Sequence, residues 1–262
     1  MSQNTPQKLL VDSQPNGIVV LTFNRPEAHN ALEVETMLRF AEVVQALAAD
    51  ERLRAVILTG AGDSAFCSGG DLVELSNYPA ADQGQRMVTL MGDALLTLER
   101  LPVPVIAAVN GYALGGGSEI ALACDLRIVD ENARLGLVHI RLGLIPGWGG
   151  GQRLLRMVGY SQALDLLLRG HIMRADELKA LGVATRVVER GTSLSQALEL
   201  AQQIASADAG TVRAIKSLLQ AGVNHPYAEA LDFERSLFPA LWEADAHLRA
   251  VSDFMNKKDK ES

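Results

Sequence analysis

The sequence predicts an α/β protein in which a sheet-and-helix core is followed by a helical C-terminal region. In the first half of the 262-residue chain, short apolar strands are followed by glycine-rich loops and helices. From Leu194 onward the pattern is helical to the end, with a break at residues 224–226. Hydrophobic residues make up 48% of the chain, which is enough for a full core. We therefore expect a core over residues 1–193 and a helical region over residues 194–262.

Each predicted strand is a short run of apolar, often β-branched residues, as expected of buried strands. The first of them ends at a turn in which Pro26 stops regular structure. The strands RAVILT and VIAAV are each followed by a break that contains glycine. The predicted strands cover residues 18–23, 54–59, 105–109, 126–129, 133–136 and 184–188.

The predicted helices are identified by apolar residues at helical spacing and by glycines at their ends. The first carries Leu32, Met37 and Phe40 on one face. Glycines follow three successive helices in the second half of the chain and stop them. The predicted helices cover residues 31–49, 118–123, 153–158, 161–168 and 175–181, with a further helix from Leu72.

Charge and cysteine content exclude several classes of function. The net charge of −7 argues against a nucleic-acid-binding surface. The two cysteines, Cys67 and Cys124, cannot build a disulfide framework, and neither stands at metal-ligand spacing from a histidine. The first ten residues contain no apolar signal core, and no apolar run approaches the length of a membrane span. We expect a cytoplasmic protein with no metal site, no nucleic-acid partner and no membrane partner.

The stretch over residues 103–125 combines a buried strand, three glycines and the start of a helix. Gly115, Gly116 and Gly117 let the backbone turn sharply and approach a ligand. The first N–H groups of a helix have no internal partner and lie at the positive end of its dipole. Glu119 is the charged side chain at this place, with Ser118 beside it as a conceivable nucleophile. The pattern fits a site where an oxygen gains negative charge, or a turn with a capping carboxylate.

Four motifs carry a family resemblance. Residues 106–119 read IAAVNGYALGGGSE, and residues 24–26, 65–71 and 144–147 read NRP, AFCSGGD and LIPG. In this order they closely resemble the crotonase (enoyl-CoA hydratase/isomerase) superfamily, and the match spans nearly the whole chain. The resemblance implies stacked β-β-α turns with a C-terminal helical trimerisation region. It also implies acyl thioesters of coenzyme A as substrates, with no permanently bound cofactor, and a homotrimer or a dimer of trimers.

The resemblance also implies the site residues. The backbone N–H groups of Gly70 and Gly116 would form an oxyanion hole for the thioester oxygen, and Glu119 would transfer protons. Four of the remaining positions keep a second interpretation: Arg25 as a solvated arginine, Asp71 as a helix cap, Trp148 as a packing residue and His139 as a packing residue. The residues implied to contact substrate or coenzyme A are Arg25, Ala28, Ser68, Asp71 and Trp148.

His139 is the main departure from the family pattern. Typical hydratases place a second glutamate twenty residues after the first, where this chain has His139. A Glu119/His139 pair could activate water and protonate the α-carbon, because histidine titrates near neutrality. The Val-His pair and the following GLIPGWGG also resemble the ethylmalonyl-CoA decarboxylase branch. The leading functional prediction is an enoyl-CoA hydratase-like lyase. The alternatives are a short-chain carboxyacyl-CoA decarboxylase and a non-catalytic acyl-CoA-binding protein.

The C-terminal helices are predicted to build a trimer because their apolar faces need a partner. Lys257 or Lys258 would then complete the nucleotide site of a neighbouring subunit. The apolar residues on these faces are Leu231, Phe233, Leu237, Phe238, Leu241 and Trp242.

Overall fold

The structure is a computed structural model that describes residues 7–261, with side chains described as far as residue 256. The side chains of Lys257 and Lys258 lie outside the described residues, so the prediction made for them stays untested. The chain divides into two compact units, the first ending at Gln202 and the second beginning at Gln203. The boundary predicted between residues 193 and 194 stays a prediction.

The first unit alternates strands and helices, and the second unit is helical. Within the described residues, the strands are β1 Leu9–Ser13, β2 Ile18–Phe23, β3 Ala55–Gly60, β4 Ala65–Cys67, β5 Val105–Val109, β6 Tyr112–Leu114, β7 Leu126–Asp130, β8 Arg134–Gly136, β9 Met173–Arg174 and β10 Arg186–Val188. The helices are α1 Val34–Ala48, α2 Leu72–Leu75, α3 Ala81–Glu99, α4 Gly116–Ala123, α5 Gly150–Val158, α6 Tyr160–Arg169, α7 Ala175–Ala180, α8 Ser193–Ser206, α9 Ala209–Asn224, α10 Tyr227–Trp242 and α11 Asp245–Glu261. Two short 3₁₀ helices cover Pro26–Ala28 and His139–Leu142.

The strands form two separate sheets, and successive strands from β3 to β8 are added to the two sheets in alternation. The larger sheet has the order β1-β2-β3-β5-β7-β10, and the smaller has the order β4-β6-β8-β9. In each of the consecutive pairs β3-β4, β5-β6 and β7-β8, the first strand joins the larger sheet and the second joins the smaller sheet. Helical segments follow each pair. All pairings are parallel except those of β1 with β2 and of β8 with β9. This repeat confirms the predicted α/β fold of stacked β-β-α turns.

The central strands of the larger sheet are buried along their whole length. Every residue of β3 and β5 is buried, which explains why both read as continuous apolar runs. Phe23 packs against Phe40 of α1 and Phe66 of β4, with ring centroids 5.9 and 5.8 Å apart. These rings join both sheets and the first long helix into one core.

Successive turns of the stack meet backbone to backbone at two glycines. A Cβ added to Gly117 would lie 1.9 Å from the carbonyl oxygen of Cys67 in the preceding turn. A Cβ added to Gly111 would lie 2.3 Å from the carbonyl oxygen of Ser64. No side chain can occupy either place, so the two turns are held at a separation that glycine alone permits.

Several elements differ from the sequence prediction. Strands β1, β4, β6 and β9 and helix α3 were not predicted, and α1 begins at Val34 instead of residue 31. Strands β4 and β6 have three residues each, too few to show an alternating pattern. Leu32 belongs to an isolated bridge with Gly70, which delays the start of α1. The predicted helical break is confirmed, because α9 ends at Asn224 and α10 begins at Tyr227.

No helix within the described residues is long and apolar enough to cross a membrane. Over the same residues, no group of three or more His, Cys, Asp or Glu side chains is placed to hold a metal ion.

Candidate active site

The glycine-rich stretch after β5 and β6 opens helix α4. Gly115 has φ +52°, a left-handed conformation that favours glycine, and the helix begins at the next residue, Gly116. The predicted start at Ser118 was therefore two residues late. A Cβ added to Gly69 would lie 2.9 Å from the backbone nitrogen of Gly116. The turn over residues 69–70 thus packs directly against the start of α4.

The two N–H groups implied to form an oxyanion hole are available. Among the hydrogen bonds of the described residues, none uses the backbone N–H of Gly70 or Gly116. The dipole of α4 adds positive potential at Gly116.

At the opposite end of α4, Arg127 donates hydrogen bonds to the carbonyl oxygens of Ala121 and Cys124. Burial lowers the pKa of Arg127. This arginine satisfies the negative end of the helix.

Glu119 is held by a cradle of backbone amides. Its side chain is 1% exposed. Its Oε2 accepts from the N–H groups of Trp148 at 2.8 Å and Gly150 at 2.7 Å, and Oε1 accepts from Gly147 at 3.3 Å. Gly150 is the first residue of α5, so the carboxylate also lies at the positive end of that helix. The buried negative charge is therefore stabilised by donors that cannot move independently of the loop.

His139 lies in ion-pair contact with Glu119. Its Nε2 lies 3.1 Å from Oε1 of Glu119, and its side chain is 14% exposed. Its Nδ1 is buried and has no hydrogen-bond partner among the described residues. The side chain belongs to the 3₁₀ helix that follows β8, which brings residues twenty positions apart into contact. A carboxylate and an imidazole in contact can share and move one proton.

Trp148 covers the start of α4. A Cβ added to Gly116 would lie 2.2 Å from Cζ3 of the indole, so the ring rests against that glycine. The carbonyl oxygen of Trp148 accepts a hydrogen bond from Nη1 of Arg153 at 2.8 Å. The same guanidinium pairs with Glu99 at the end of α3 at 2.9 Å. Sequence reasoning did not find Arg153 or the amides of Gly147 and Gly150, because no local pattern marks their targets.

The remaining predicted contact residues lie around the Gly70 turn. Asp71 caps α2 by accepting from the N–H groups of Val73 and Glu74, so its capping interpretation is confirmed. Arg25 donates to Asp71 at 2.9 Å and pairs with Glu33 at 3.0 Å, and its hydrogen bond lowers the pKa of Asp71. The alternative of a solvated surface arginine is therefore wrong. A role for Arg25 or Asp71 in coenzyme A binding stays a prediction.

Ser68 and Ala28 occupy neighbouring backbone positions on this side of the site. The N–H of Ser68 donates to the carbonyl of His29 at 3.1 Å, and Ala28 ends the 3₁₀ helix that precedes His29. The carbonyl oxygen of Ser68 lies 3.9 Å from where a Cβ on Gly115 would be. Both residues are half-buried. Their contact with the coenzyme stays a prediction.

The Ser118 hydroxyl, the conceivable nucleophile, and the Cys67 thiol are both buried. Ser118 is fully buried, and its Oγ is hydrogen-bonded to the carbonyl oxygens of Ala113 and Gly136 and to the N–H of Gly136. Burial raises the pKa of the Cys67 thiol to about 12. A buried neutral thiol is a poor nucleophile. Neither side chain is available for covalent chemistry in this arrangement.

A cavity of about 380 Å³ opens beside His139. Its lining is mostly apolar and comes from the 3₁₀ helix, the loop before α5 and helices α5 and α6. The volume is in the range typical of small-molecule sites. Besides His139, its walls include Leu137, Ile140, Pro146, Leu155 and Leu164.

Comparison with known proteins decides the family. The model of the enoyl-CoA hydratase/isomerase family matches residues 13–261. The chain belongs to the enoyl-CoA hydratase/isomerase family. It is 37% identical over 241 residues to a short-chain-enoyl-CoA hydratase of Clostridium acetobutylicum, with 92% of each chain covered. It is 35% identical over 242 residues to a crotonyl-CoA hydratase of Syntrophomonas wolfei, again with 92% of each covered.

Solved structures of this family share the fold. A crystal structure of an enoyl-CoA hydratase from Bacillus anthracis superimposes with a TM-score of 0.91 at 35% identity, covering 96% of this chain and 97% of that one. An enoyl-CoA hydratase of Mycobacterium smegmatis gives a TM-score of 0.90 at 31% identity, with coverage of 96% and 97%. The crotonase resemblance inferred from the four motifs is confirmed. The partial resemblance to the decarboxylase branch is not confirmed by these comparisons.

Proposed function

We propose that this member of the family is an enoyl-CoA hydratase that adds water to a 2-enoyl-CoA, or removes it from a 3-hydroxyacyl-CoA. The observation that carries the proposal is the Glu119–His139 pair beside the two unengaged N–H groups of Gly70 and Gly116. The names of the relatives from Clostridium acetobutylicum and Syntrophomonas wolfei agree with this activity. The only coenzyme required is the coenzyme A of the substrate.

In the proposed reaction the thioester oxygen accepts hydrogen bonds from Gly70 and Gly116. These donors stabilise the negative charge that develops on the oxygen when water adds to the β-carbon. The Glu119–His139 pair takes one proton from the water as its oxygen bonds to the β-carbon. The pair then returns a proton to the α-carbon of the enolate, so that the elements of water are added and the pair is restored.

The first experiment compares two reactions of the purified protein. Crotonyl-CoA hydration and ethylmalonyl-CoA decarboxylation are measured side by side, because both pass through a thioester enolate. We expect hydration and no decarboxylation. Decarboxylation without hydration would favour the carboxyacyl-CoA decarboxylase alternative. Binding of acyl-CoA without turnover of any thioester would favour a non-catalytic acyl-CoA-binding protein.

Glu119→Gln is expected to lower hydratase turnover by about 10²-fold or more while the protein stays folded. The amide has the shape of the carboxylate but cannot accept and return a proton. Turnover of crotonyl-CoA and the affinity for coenzyme A are measured together. Glu177→Gln is the matched control, because Glu177 also contacts a histidine, His171, at 3.0 Å. Equal turnover in Glu119→Gln and the wild type would remove Glu119 from the mechanism.

A homotrimer, or a dimer of trimers, is part of the proposal. The second unit exposes Phe233, Phe238 and Trp242, and such a set of large apolar side chains is typical of an interface. We expect a mass three or six times that of the chain by light scattering at micromolar protein. A monomeric mass would contradict this part of the proposal. A cytoplasmic, reducing location is also proposed, because the two cysteines of the sequence are too few for a disulfide framework.

A further inference from the structure

We propose that Trp148 sets the length of acyl chain that this enzyme accepts and restricts it to short-chain thioesters. This inference rests on the proposed function, since it concerns the same site. The indole is 5% exposed and lies against Gly116, whose N–H is one of the two oxyanion donors. The backbone N–H of the same residue bonds to Glu119 at 2.8 Å. Trp148 therefore contacts the proposed oxyanion donor through its ring and the proposed proton-transfer residue through its backbone N–H. The reacting carbons of the substrate must lie between these two residues.

The ring lies between the proposed oxyanion donor at Gly116 and the loop that holds Glu119. The thioester oxygen is bound at Gly116, and the α- and β-carbons must come within reach of Glu119 and His139. A tryptophan side chain occupies the volume against Gly116 on the way to those groups. A short acyl group ends near the pair, whereas a longer one must continue into space beside the ring. An indole thus limits the chain by volume and not by charge.

Trp148 is fixed in this position from two sides. Its carbonyl oxygen accepts from Arg153, which is itself paired with Glu99 at the end of α3. Its N–H is engaged by Glu119, and its ring belongs to the buried apolar core. These hydrogen bonds fix the backbone of residue 148, and the surrounding core fixes the ring. The ring therefore acts as a wall that a long acyl chain cannot displace without disrupting the packed core.

The test measures chain-length preference in Trp148→Ala. kcat/KM for hydration is compared for crotonyl-CoA, octenoyl-CoA and decenoyl-CoA. The wild type is expected to prefer crotonyl-CoA. In the variant the ratio of decenoyl-CoA to crotonyl-CoA should rise at least about tenfold, because each methylene buried in the freed volume contributes about 0.8 kcal/mol, roughly a factor of four. An unchanged ratio would overturn the proposal.

Leu47→Ala is the matched control for loss of buried volume. Leu47 lies on α1 in the apolar core and takes no part in the site, so its truncation should leave the chain-length ratio unchanged. If Trp148→Ala does not fold, Trp148→Leu provides the smaller change, with a ratio shift in the same direction. A shift of equal size in Leu47→Ala would show that general loosening, and not Trp148, sets the preference.

Binding separates failure of this inference from failure of the proposed function. Affinities for butyryl-CoA and decanoyl-CoA, which cannot be hydrated, are measured by calorimetry in the wild type and both Trp148 variants. A preference that moves toward decanoyl-CoA in the variants supports the inference even if no enoyl-CoA is hydrated. Hydration with a fixed preference in both turnover and binding would reject the inference and leave the hydratase proposal standing.

Discussion

His139→Ala is expected to lower crotonyl-CoA hydration by at least about 10²-fold, because it removes the imidazole that we propose shares a proton with Glu119. The carboxylate of Glu119 stays in its amide cradle, so the fold and the oxyanion donors should be preserved. KM should change much less than kcat. Steady-state kinetics on crotonyl-CoA measures both. His171→Ala, which removes a histidine from the half-buried pair with Glu177, should leave kcat unchanged. A normal kcat in His139→Ala would make His139 a packing residue.

His139→Glu distinguishes hydration from decarboxylation. In a hydratase this change restores the usual pair of glutamates, and two adjacent carboxylates hold one proton between them. Hydration of crotonyl-CoA should therefore be retained or raised. In a decarboxylase the new carboxylate would face the substrate carboxylate in a partly dry site, where like charges repel strongly. Wild-type decarboxylation of ethylmalonyl-CoA without hydration, lost in the variant, would reverse our functional ranking.

Gly150→Ala is expected to lower kcat by about 10²-fold through displacement of Glu119. The added Cβ would lie 2.6 Å from Cγ of Glu119 and 3.0 Å from its Oε2. The carboxylate cannot yield easily, since it is buried and bonded to three N–H groups. Overpacking of this kind also destabilises a fold by about 1–3 kcal/mol. Kinetics on crotonyl-CoA and urea unfolding measure the two effects separately.

Gly151→Ala is the control for this change, one residue further along the same helix. Its Cβ would meet Pro146 and Leu167 at 3.8 Å or more, which is ordinary van der Waals contact. Alanine also favours a helix over glycine by about 1 kcal/mol. We expect near-normal kcat and equal or higher stability for Gly151→Ala. A similar loss of kcat in both variants would mean that helix α5, and not the Glu119 cradle, is sensitive to added side chains.

The parts of the site that could be predicted are those whose residues are close together in the sequence. A buried strand, three glycines and a helix start are consecutive in sequence, so the position of Glu119 on α4, with Gly116 beside the helix start, followed from their order. The family resemblance suggested that Glu119 and His139 form a pair, and the structure places their side chains 3.1 Å apart. Their catalytic roles remain predictions, as do the roles of the oxyanion and coenzyme A contacts.

The interactions that sequence reasoning missed join distant segments. The amides that hold Glu119 belong to a loop about thirty positions further along the chain, and nothing in its Gly-Trp-Gly-Gly pattern specifies a carboxylate. Arg25 meets Asp71 across forty-six positions, which a local pattern cannot reveal. The short strands β4 and β6 are held by their pairing with neighbours in the smaller sheet, and not by local propensity.

The glycine contacts between successive turns also fix the pitch of the stack. Gly111 and Gly117 let the turn that begins with β5-β6 approach the carbonyl groups of the turn that begins with β3-β4, and the two proposed oxyanion donors come from these same turns. The distance between the two donors is therefore set by the pitch of the stack. Substitutions at Gly111 and Gly117 should lower catalytic turnover as well as folding stability. A scaffold that keeps every proposed catalytic side chain but widens this pitch would leave only one of the two N–H groups within hydrogen-bond distance of the thioester oxygen.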